Sequence, residues 1–488
     1  MPQPSNFFLE MLSQILFFCR EIYQFEEKTF AKIKKSVIIL EENEYKSSYD
    51  KDQEILRDTF KEIGQKEDLI LSVAQLLMEN GATADRIVRD TKRVAAFMGI
   101  PEEKFHFHMM YTTLMLNISD EEHSHTKFRK CIKHAVDMRI ISAISKLTWR
   151  ALREHYTLEE FRGNLEAIIN RPRYYVLLQN ILAIGIADGA YCILFGGDFF
   201  AAIYTAISSI IGKFMQIQSE KIGVNHYVSA GFAAFVATVV AYFTHFLPTE
   251  TPWHPIIACA LFLVPGVPII NGLTDLLNTY LFCGSARFLR ALLIVGGMTF
   301  GIVFAIGMFP VPDFTNLRML PGEDYFEFAL FAAIGAMGFS ILFNLPPRLL
   351  YAVGIGGALA VCTRNFLIFS LGFSSAFGTL VGATFVSVLA VKAMHWLHTP
   401  MQVLIVPAMI PLVPGVLIYR FLFALINMNT MSVEQLLSAI QSGVDAVLII
   451  LAIAIGAAMP NIFANRHFER IRREEQERLL NEAYKIDL

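Results

Sequence analysis

Charge is scarce in this sequence, and none of it sits in a catalytic motif. Asp, Glu, Lys and Arg make up 17% of the 488 residues, against about 25% in an ordinary soluble domain. The two signs nearly cancel, to a net −3. No basic stripe stands outside the flanks of the apolar runs, which argues against a nucleic-acid partner. The sequence has no P-loop, no G-x-S-x-G, no H-E-x-x-H and no dinucleotide-binding fingerprint, so nothing points to an enzyme or to a cofactor. Without a nucleotide-binding motif, any work must draw on an ion or solute gradient or on another subunit. The six cysteines (Cys19, Cys131, Cys192, Cys259, Cys283 and Cys362) show no C-x-x-C spacing and read as small core residues, not as a disulfide framework or a zinc site. A signal peptide is not expected either. The apolar patch from Phe7 to Phe18 is interrupted by Glu10 and lacks a basic flank, which suits an amphipathic helix better.

Apolar residues are abundant, at 54%, and unevenly placed. Residues 1–174 hold most of the Lys, Glu and Asp, whereas 175–464 hold long apolar runs broken by Gly and Pro. Crossing about 30 Å of hydrocarbon takes roughly 20 residues of helix. Ten segments qualify: about 175–195, 198–217, 227–247, 254–272, 287–309, 325–343, 348–369, 371–393, 401–419 and 440–460. Connections as short as Gly196-Gly197 and Leu345-Pro346-Pro347 force antiparallel neighbours. Lys and Arg gather on one side (Arg171, Arg173, Lys213, Lys221, Arg287, Arg290, Arg348, Lys392, Arg466, Arg470, Arg472, Arg473), leaving only Arg318, Arg364 and Arg420 on the other. That bias predicts a multi-pass protein of the cell (inner) membrane with both termini in the cytoplasm. The loop after the fifth span, with Asp313, Glu323, Asp324 and Glu327, would lie outside.

The membrane half repeats itself. Leu263-Val264-Pro265-Gly266-Val267 recurs as Leu412-Val413-Pro414-Gly415-Val416, an offset of 149; Ile193-Leu194-Phe195 recurs as Ile341-Leu342-Phe343, an offset of 148; Ala237-Thr238-x-Val240 recurs as Ala383-Thr384-x-Val386, an offset of 146. Five spans per copy is an odd number, so the second copy would insert upside-down, the inverted-repeat plan of many secondary transporters. Pro removes a backbone donor and clashes with the preceding turn. In lipid the freed carbonyls are tolerated only where protein or a water-filled cavity receives them. Pro265 and Pro268, and Pro407, Pro411 and Pro414, therefore predict broken or kinked helices, which either face an interior path or are structural kinks without a ligand. Asp188 lies mid-way along the first span, where a charge needs a partner or water; it is either part of that path or a helix-packing hydrogen bond. Asn271 and Asp275 follow the first Pro-Gly, and Arg420 stands at Asn271's repeat-equivalent position. Arg348, Lys392 and His395 lie near span ends, where snorkelling accounts for them.

In the N-terminal third, residues 20–62 are charged and lack a clean apolar face. From Asp68 the pattern sharpens: Leu69, Val73, Leu76 and Leu77 share a helical face that Asn80-Gly81 ends, and a second helix spans about 84–98. Residues 104–117 alternate like one strand that turns near Ser119-Asp120, and helices follow at about 137–153 and 158–169. His106-x-His108 and His123-x-His125 invite a metal reading, but the expected hairpin puts His123 opposite Leu116 and His106 near Lys133, too far apart to converge.

The residues Glu79-Asn80-Gly81-Ala82, Arg86-Ile87, Asp90-Thr91 and Gly99, then Phe195-Gly196-Gly197-Asp198, Pro265-Gly266-Val267-Pro268-Ile269-Ile270-Asn271, Asp275, Gly284 and Arg287, and in the second copy Leu342-Phe343-Asn344-Leu345-Pro346 and Pro414-Gly415, resemble the threonine/serine exporter family over about residues 65–465. The resemblance implies a ten-span exporter of small amino acids with a cytoplasmic N-domain. Relatives split into two proteins, one per repeat, imply export of a dicarboxylate, succinate, instead. The strand region departs from the family's small-residue pattern, and residues 1–60 lie outside it.

Together these features predict an α-helical polytopic membrane protein of about ten transmembrane helices in two inverted five-helix repeats, with a small α+β cytoplasmic N-terminal domain. The expected divisions are a charged extension (1–64), the N-domain (65–174), repeat 1 (175–309), repeat 2 (310–464) and a tail (465–488). The expected function is secondary export of threonine/serine-type solutes, coupled to protons. The rivals are dicarboxylate export, which would want cations at the site, and a non-transporting scaffold or sensor. Expected partners are the small-molecule substrate, the lipid bilayer and further copies of the chain. The candidate pathway residues are Asp188, Pro265, Gly266, Asn271, Asp275, Pro414, Gly415 and Arg420.

Overall fold

A computed structural model describes residues 49–119, 124–309, 311, 324–429 and 431–486. The Phe7–Phe18 patch, His123, Asp313, Arg318 and Glu323 lie outside them. The chain divides into two units, Met1–Gln65 and Lys66–Leu488. The second unit holds the sheet, the spans and the C-terminal part of the opening helix.

That helix, α1 (Tyr49–Glu79), buries Leu69, Ile70, Val73 and Leu77 and stops at Gly81, whose φ of +85° only glycine adopts easily. Helix α2 (Ala84–Phe97) follows. A three-stranded antiparallel sheet, β1 (Phe105–Met109), β2 (Thr113–Ser119) and β3 (Ser124–Lys130), comes next in sequential order. The expected single strand over 104–117 is thus two strands. The Met110 amide donates to the Thr113 carbonyl at 2.8 Å, a tight turn with no Gly, Pro or Asn to announce it, so the alternation runs through unbroken. The pairing of β2 with β3 departs from the expected register too: Ser119 lies opposite Ser124 and Leu116 opposite Lys127, not His123, so the hairpin is centred about two residues later than the alternation suggested. His106 faces Asn117 and not the neighbourhood of Lys133. Helices α3 (Met138–Glu154) and α4 (Leu158–Asn170) close the domain. Asp137 caps α3 through the amides of Arg139 and Ile140, and Thr157 with Glu160 forms a capping box on α4.

The apolar half holds α5 (Leu177–Leu194), α6 (Phe199–Lys221), α7 (His226–Thr244), α8 (His254–Ala258), α9 (Gly266–Leu277), α10 (Leu281–Met308), α11 (Tyr325–Leu342), α12 (Leu350–Asn365), α13 (Ser375–Leu397), α14 (Met401–Met409), α15 (Gly415–Ile426) and α16 (Val433–Ile486). Among the described residues, eight helices are long and apolar enough to cross a membrane, and ten spans result if each bent pair counts as one. The bent pairs are His254–Leu263 with Gly266–Leu277, at 58°, and Met401–Leu412 with Gly415–Ile426, at 55°. Elsewhere small residues let helices touch: a Cβ on Gly301 of α10 would fall 2.0 Å from the Gly231 carbonyl of α7. The exposed side chains of the spans are large and apolar, among them Phe200, Phe232, Leu292, Phe304 and Val444, as a lipid-facing surface requires.

Candidate functional site

Both breaks share one backbone design. After a short 3-10 turn, Val264 (φ −64°, ψ 118°) and Pro265 (φ −79°, ψ 63°) carry the chain into α9. Val413 (φ −66°, ψ 124°) and Pro414 (φ −82°, ψ 54°) carry it into α15. The Gly266 amide donates to the Val264 carbonyl at 2.8 Å, and the Gly415 amide to the Val413 carbonyl at 2.9 Å. Each proline therefore centres an inverse γ-turn, which its locked φ pre-sets.

The two breaks meet, reciprocally. A Cβ on Gly266 would lie 2.8 Å from Ile410 Cδ1 and 3.5 Å from Val413 Cγ2; one on Gly415 would lie 3.0 Å from Val264 Cγ2 and 3.1 Å from Leu261 Cδ2. At the 149-residue offset Val264 corresponds to Val413, Gly266 to Gly415 and Leu261 to Ile410. Residue i of one copy thus touches residue j of the other, and j touches i, as across a two-fold interface. Tyr191 stacks on Phe339, its counterpart at the 148-residue offset, with ring centroids 5.5 Å apart.

Cavities lie on both sides of this meeting. A cavity of about 200 Å³ faces the N-domain and is lined by Gly81, His134, Lys213, Gln216, Phe262, Val264, Gly266, Asn271, Arg287, Arg290, Phe339 and Phe343, among others. A smaller one of about 40 Å³ is lined by Tyr191, Phe195, Val264, Gly266, Arg364, Pro411, Val413 and Gly415. A third, about 90 Å³, lies beside α2 and is lined by Thr83, Asp85, Arg86, Arg89, Asn271 and Gln402.

The turn Gly81–Ala84 separates the first cavity from the third. Asn271 and Gln402 donate to the Gly81 carbonyl at 2.8 and 3.2 Å, Arg287 donates to the Ala82 carbonyl at 2.7 Å, and the Ala84 amide donates to Asp275 at 2.8 Å. The other half anchors the domain too: Met138 donates to the Phe343 carbonyl, and Asn344 bridges the Tyr174 amide and Asp137. His134, stacked on Tyr111 at 4.0 Å, is pushed down to about 4 by burial first and by Arg290 and Arg287 next, so it is neutral at ordinary pH.

Of the candidate residues, Pro265, Gly266, Pro414 and Gly415 come together at the meeting point, and Asn271 lines two of the cavities. Asp188 is fully buried behind the 3-10 turn: its Oδ2 accepts from the Phe262 amide at 3.3 Å, while Oδ1 has no partner among the described residues. Asp275 and Arg420 line none of the three cavities. Asp275 faces Arg287 at 3.3 Å, and Arg420 follows Tyr419, whose hydroxyl donates to the Ile257 carbonyl. Lys213, Arg290 and Arg364 were legible only as charges near span ends, and Gln402 carried no sequence signal at all.

Residues 68–309 match the family described as "Putative threonine/serine exporter", and residues 328–463 match "Threonine/Serine exporter, ThrE". The chain is similar to the "Probable succinate transporter subunit YjjP" of Klebsiella aerogenes, 23% identical over 49% of this chain and 92% of that one. The protein of the same name from Escherichia coli is 22% identical over 49% and 92%. An uncharacterized protein of Haemophilus influenzae is 30% identical over 28% of this chain and 46% of its own. No solved structure matches.

Proposed function

Since this chain belongs to the threonine/serine exporter family, we propose that it is a secondary exporter of a small polar metabolite bearing a carboxylate, moved through the paired breaks and driven by a proton gradient. The observation that carries this reading is the reciprocal contact of two identically built helix breaks with cavities on either side. Unpaired backbone groups and half-helix ends at such a place suit charged groups of a solute, and a scaffold needs neither. The same contacts support two inverted repeats, with Tyr191 and Phe339 near the axis that relates them. The Lys/Arg bias supports a cytoplasmic N-domain in the inner membrane.

Two solute classes compete. A threonine/serine-type amino acid needs an acceptor for its ammonium; Asp275, the candidate for that task, is engaged by Ala84 and Arg287. A dicarboxylate needs cations, and the larger cavity presents Lys213, Arg287 and Arg290 and no acidic side chain. That observation, with the name the two bacterial relatives carry, favours the dicarboxylate. Their description as a subunit supports assembly with further copies. Efflux of radiolabelled threonine, serine and succinate from cells expressing the chain tests the proposal. Export of at least one, abolished by dissipating the proton gradient, is expected; a chain that inserts in the membrane and moves none of them would return the scaffold reading.

A further inference from the structure

Three half-buried cations line the cavities at the paired breaks, and no acidic side chain lines either cavity; the acid nearest to Lys213, Glu220, reaches it only through Gln216 and is held by His226. Lys213 donates to Gln216 Oε1 at 2.8 Å and lies over the Phe262 ring. Arg290 donates to the Tyr111 hydroxyl at 2.9 Å and to the His134 carbonyl at 3.1 Å. Arg364 donates to Asn365 Oδ1 at 3.0 Å. Among the described residues none of the three has a carboxylate within 4.0 Å, whereas Arg287 has Asp275. A cation without a direct ion-pair partner inside an apolar span is costly and marks an ion or substrate path.

Their placement follows the repeat. Lys213 sits on α6, the second helix of the first copy; Arg364 sits on α12, the second of the other. At the 148-residue offset Arg364 falls opposite Gln216, the amide that Lys213 contacts one helical turn away. The two cavities are related in part in the same way: Phe343 lines the larger where its counterpart Phe195 lines the smaller, and Tyr191 stands with its own counterpart Phe339 in the smaller. A cation beside the paired breaks is therefore presented once in the cavity toward the N-domain and once in the other. A short π-helical turn, Phe366–Ser370, begins two residues after Arg364, a feature often found at functional positions in helices.

We propose that Lys213 and Arg290 hold the carboxylates of a small dicarboxylate on the N-domain side of the breaks, and that Arg364 receives one of them on the far side. This rests on the dicarboxylate transport reading above and names the residues that select that substrate. Selection against a neutral zwitterion follows from the chemistry: with no acidic side chain in either lining, an ammonium would meet side chains of like charge only, while a dianion supplies the direct ion-pair partners that the lining lacks.

The test uses the full-length chain in proteoliposomes and measures exchange of radiolabelled succinate and of threonine. Lys213→Gln, Arg290→Gln and Arg364→Gln should each lower succinate exchange by about tenfold or more, the scale of a lost hydrogen bond to a charged group, while Lys213→Arg, Arg290→Lys and Arg364→Lys retain most of it. Succinate, and not chloride at equal ionic strength, should also raise the unfolding temperature of the wild-type chain, a measurement independent of whether the Gln variants fold. Wild-type succinate exchange in all three Gln variants, absence of the thermal shift, or exchange of threonine without succinate would each overturn the assignment while leaving transport standing. A wild-type chain that exchanges no solute would remove the transport reading and this assignment with it.

Discussion

Asp275, in the second half of the first broken span, accepts a hydrogen bond at 2.8 Å from the backbone amide of Ala84, 191 positions earlier in the chain. Ala84 opens α2, and Thr83 before it offers no side-chain cap. The membrane half therefore supplies the cap that the N-domain helix lacks, with a negative group at the positive end of the helix dipole. The second oxygen of Asp275 faces Arg287 Nε at 3.3 Å, with both side chains almost fully buried, and Arg287 in turn holds the Ala82 carbonyl. One ion pair thus latches the Gly81–Ala84 turn over the breaks.

Breaking that pair from one side leaves an unanswered buried charge, which costs about 3–5 kcal/mol. Asp275→Asn and Arg287→Gln should each destabilise the docked N-domain on that scale, seen as faster proteolysis of the turn between α1 and α2. The double variant should lose clearly less than the sum of the two. Strict additivity would mean that the pair is not the latch.

The paired glycines separate size from backbone freedom. A methyl group on Gly266 or Gly415 meets only the ends of Ile410, Val413, Val264 and Leu261 side chains, which can give way. Gly266→Ala and Gly415→Ala should therefore keep most efflux. Leucine at either position overfills the meeting point by about 1–3 kcal/mol, a fall in rate of about fivefold to a hundredfold if the cost lands on one state of the cycle. Efflux measured against protein abundance checks this, and normal export by both Leu variants would make the breaks structural only.

Much of this architecture was legible in the sequence, because long apolar runs have no soluble alternative and Pro-Gly inside a span has few harmless meanings. The five-residue repeat located both breaks, and the bends fall at Pro265 and Pro414. The hairpin at Met110–Thr112 was not legible, since alternation continues through a turn that uses ordinary residues. Nor was Asp275's partner: a carboxylate near the end of a span fits a solute, a proton or an ion pair equally well until the chain 191 residues away is in place. Lys213 and Arg364 were read as span-end charges because depth along a helix does not say which face a side chain takes.

His134 ties docking to pH. Its imidazole is held down to about 4 in the docked state, by burial and by the two arginines, against about 6.5 in an unfolded chain. The unfolded state therefore binds the proton first, so stability is unaffected above about pH 6.5 and falls as pH drops from there toward 4. Thermal unfolding of the full chain should show this loss, and His134→Gln should flatten it. An unchanged profile in that variant would assign the acid sensitivity to another group.

Asp188 offers the clearest separation between holding the fold and coupling the proton. Its Oδ2 fixes the Phe262 amide in the turn that precedes the first break, and Phe262 lies against Lys213 at the larger cavity. A change of protonation there would act on the broken span from behind, without touching the solute. Asparagine preserves the acceptor for the Phe262 amide and the volume of the side chain, but it cannot carry the exchangeable proton. Asp188→Asn should therefore insert and unfold much like the wild type. Its exchange of solute down the solute's own gradient should persist, while accumulation driven by an imposed pH gradient should disappear. Leucine at the same position removes the acceptor as well and leaves a buried amide unanswered, at about 1–3 kcal/mol, so it should lower abundance and both forms of transport together. Proteoliposomes prepared with and without a pH gradient distinguish the two variants. If Asp188→Asn still accumulates solute against its gradient as the wild type does, the coupling proton is carried elsewhere and Asp188 serves the turn alone.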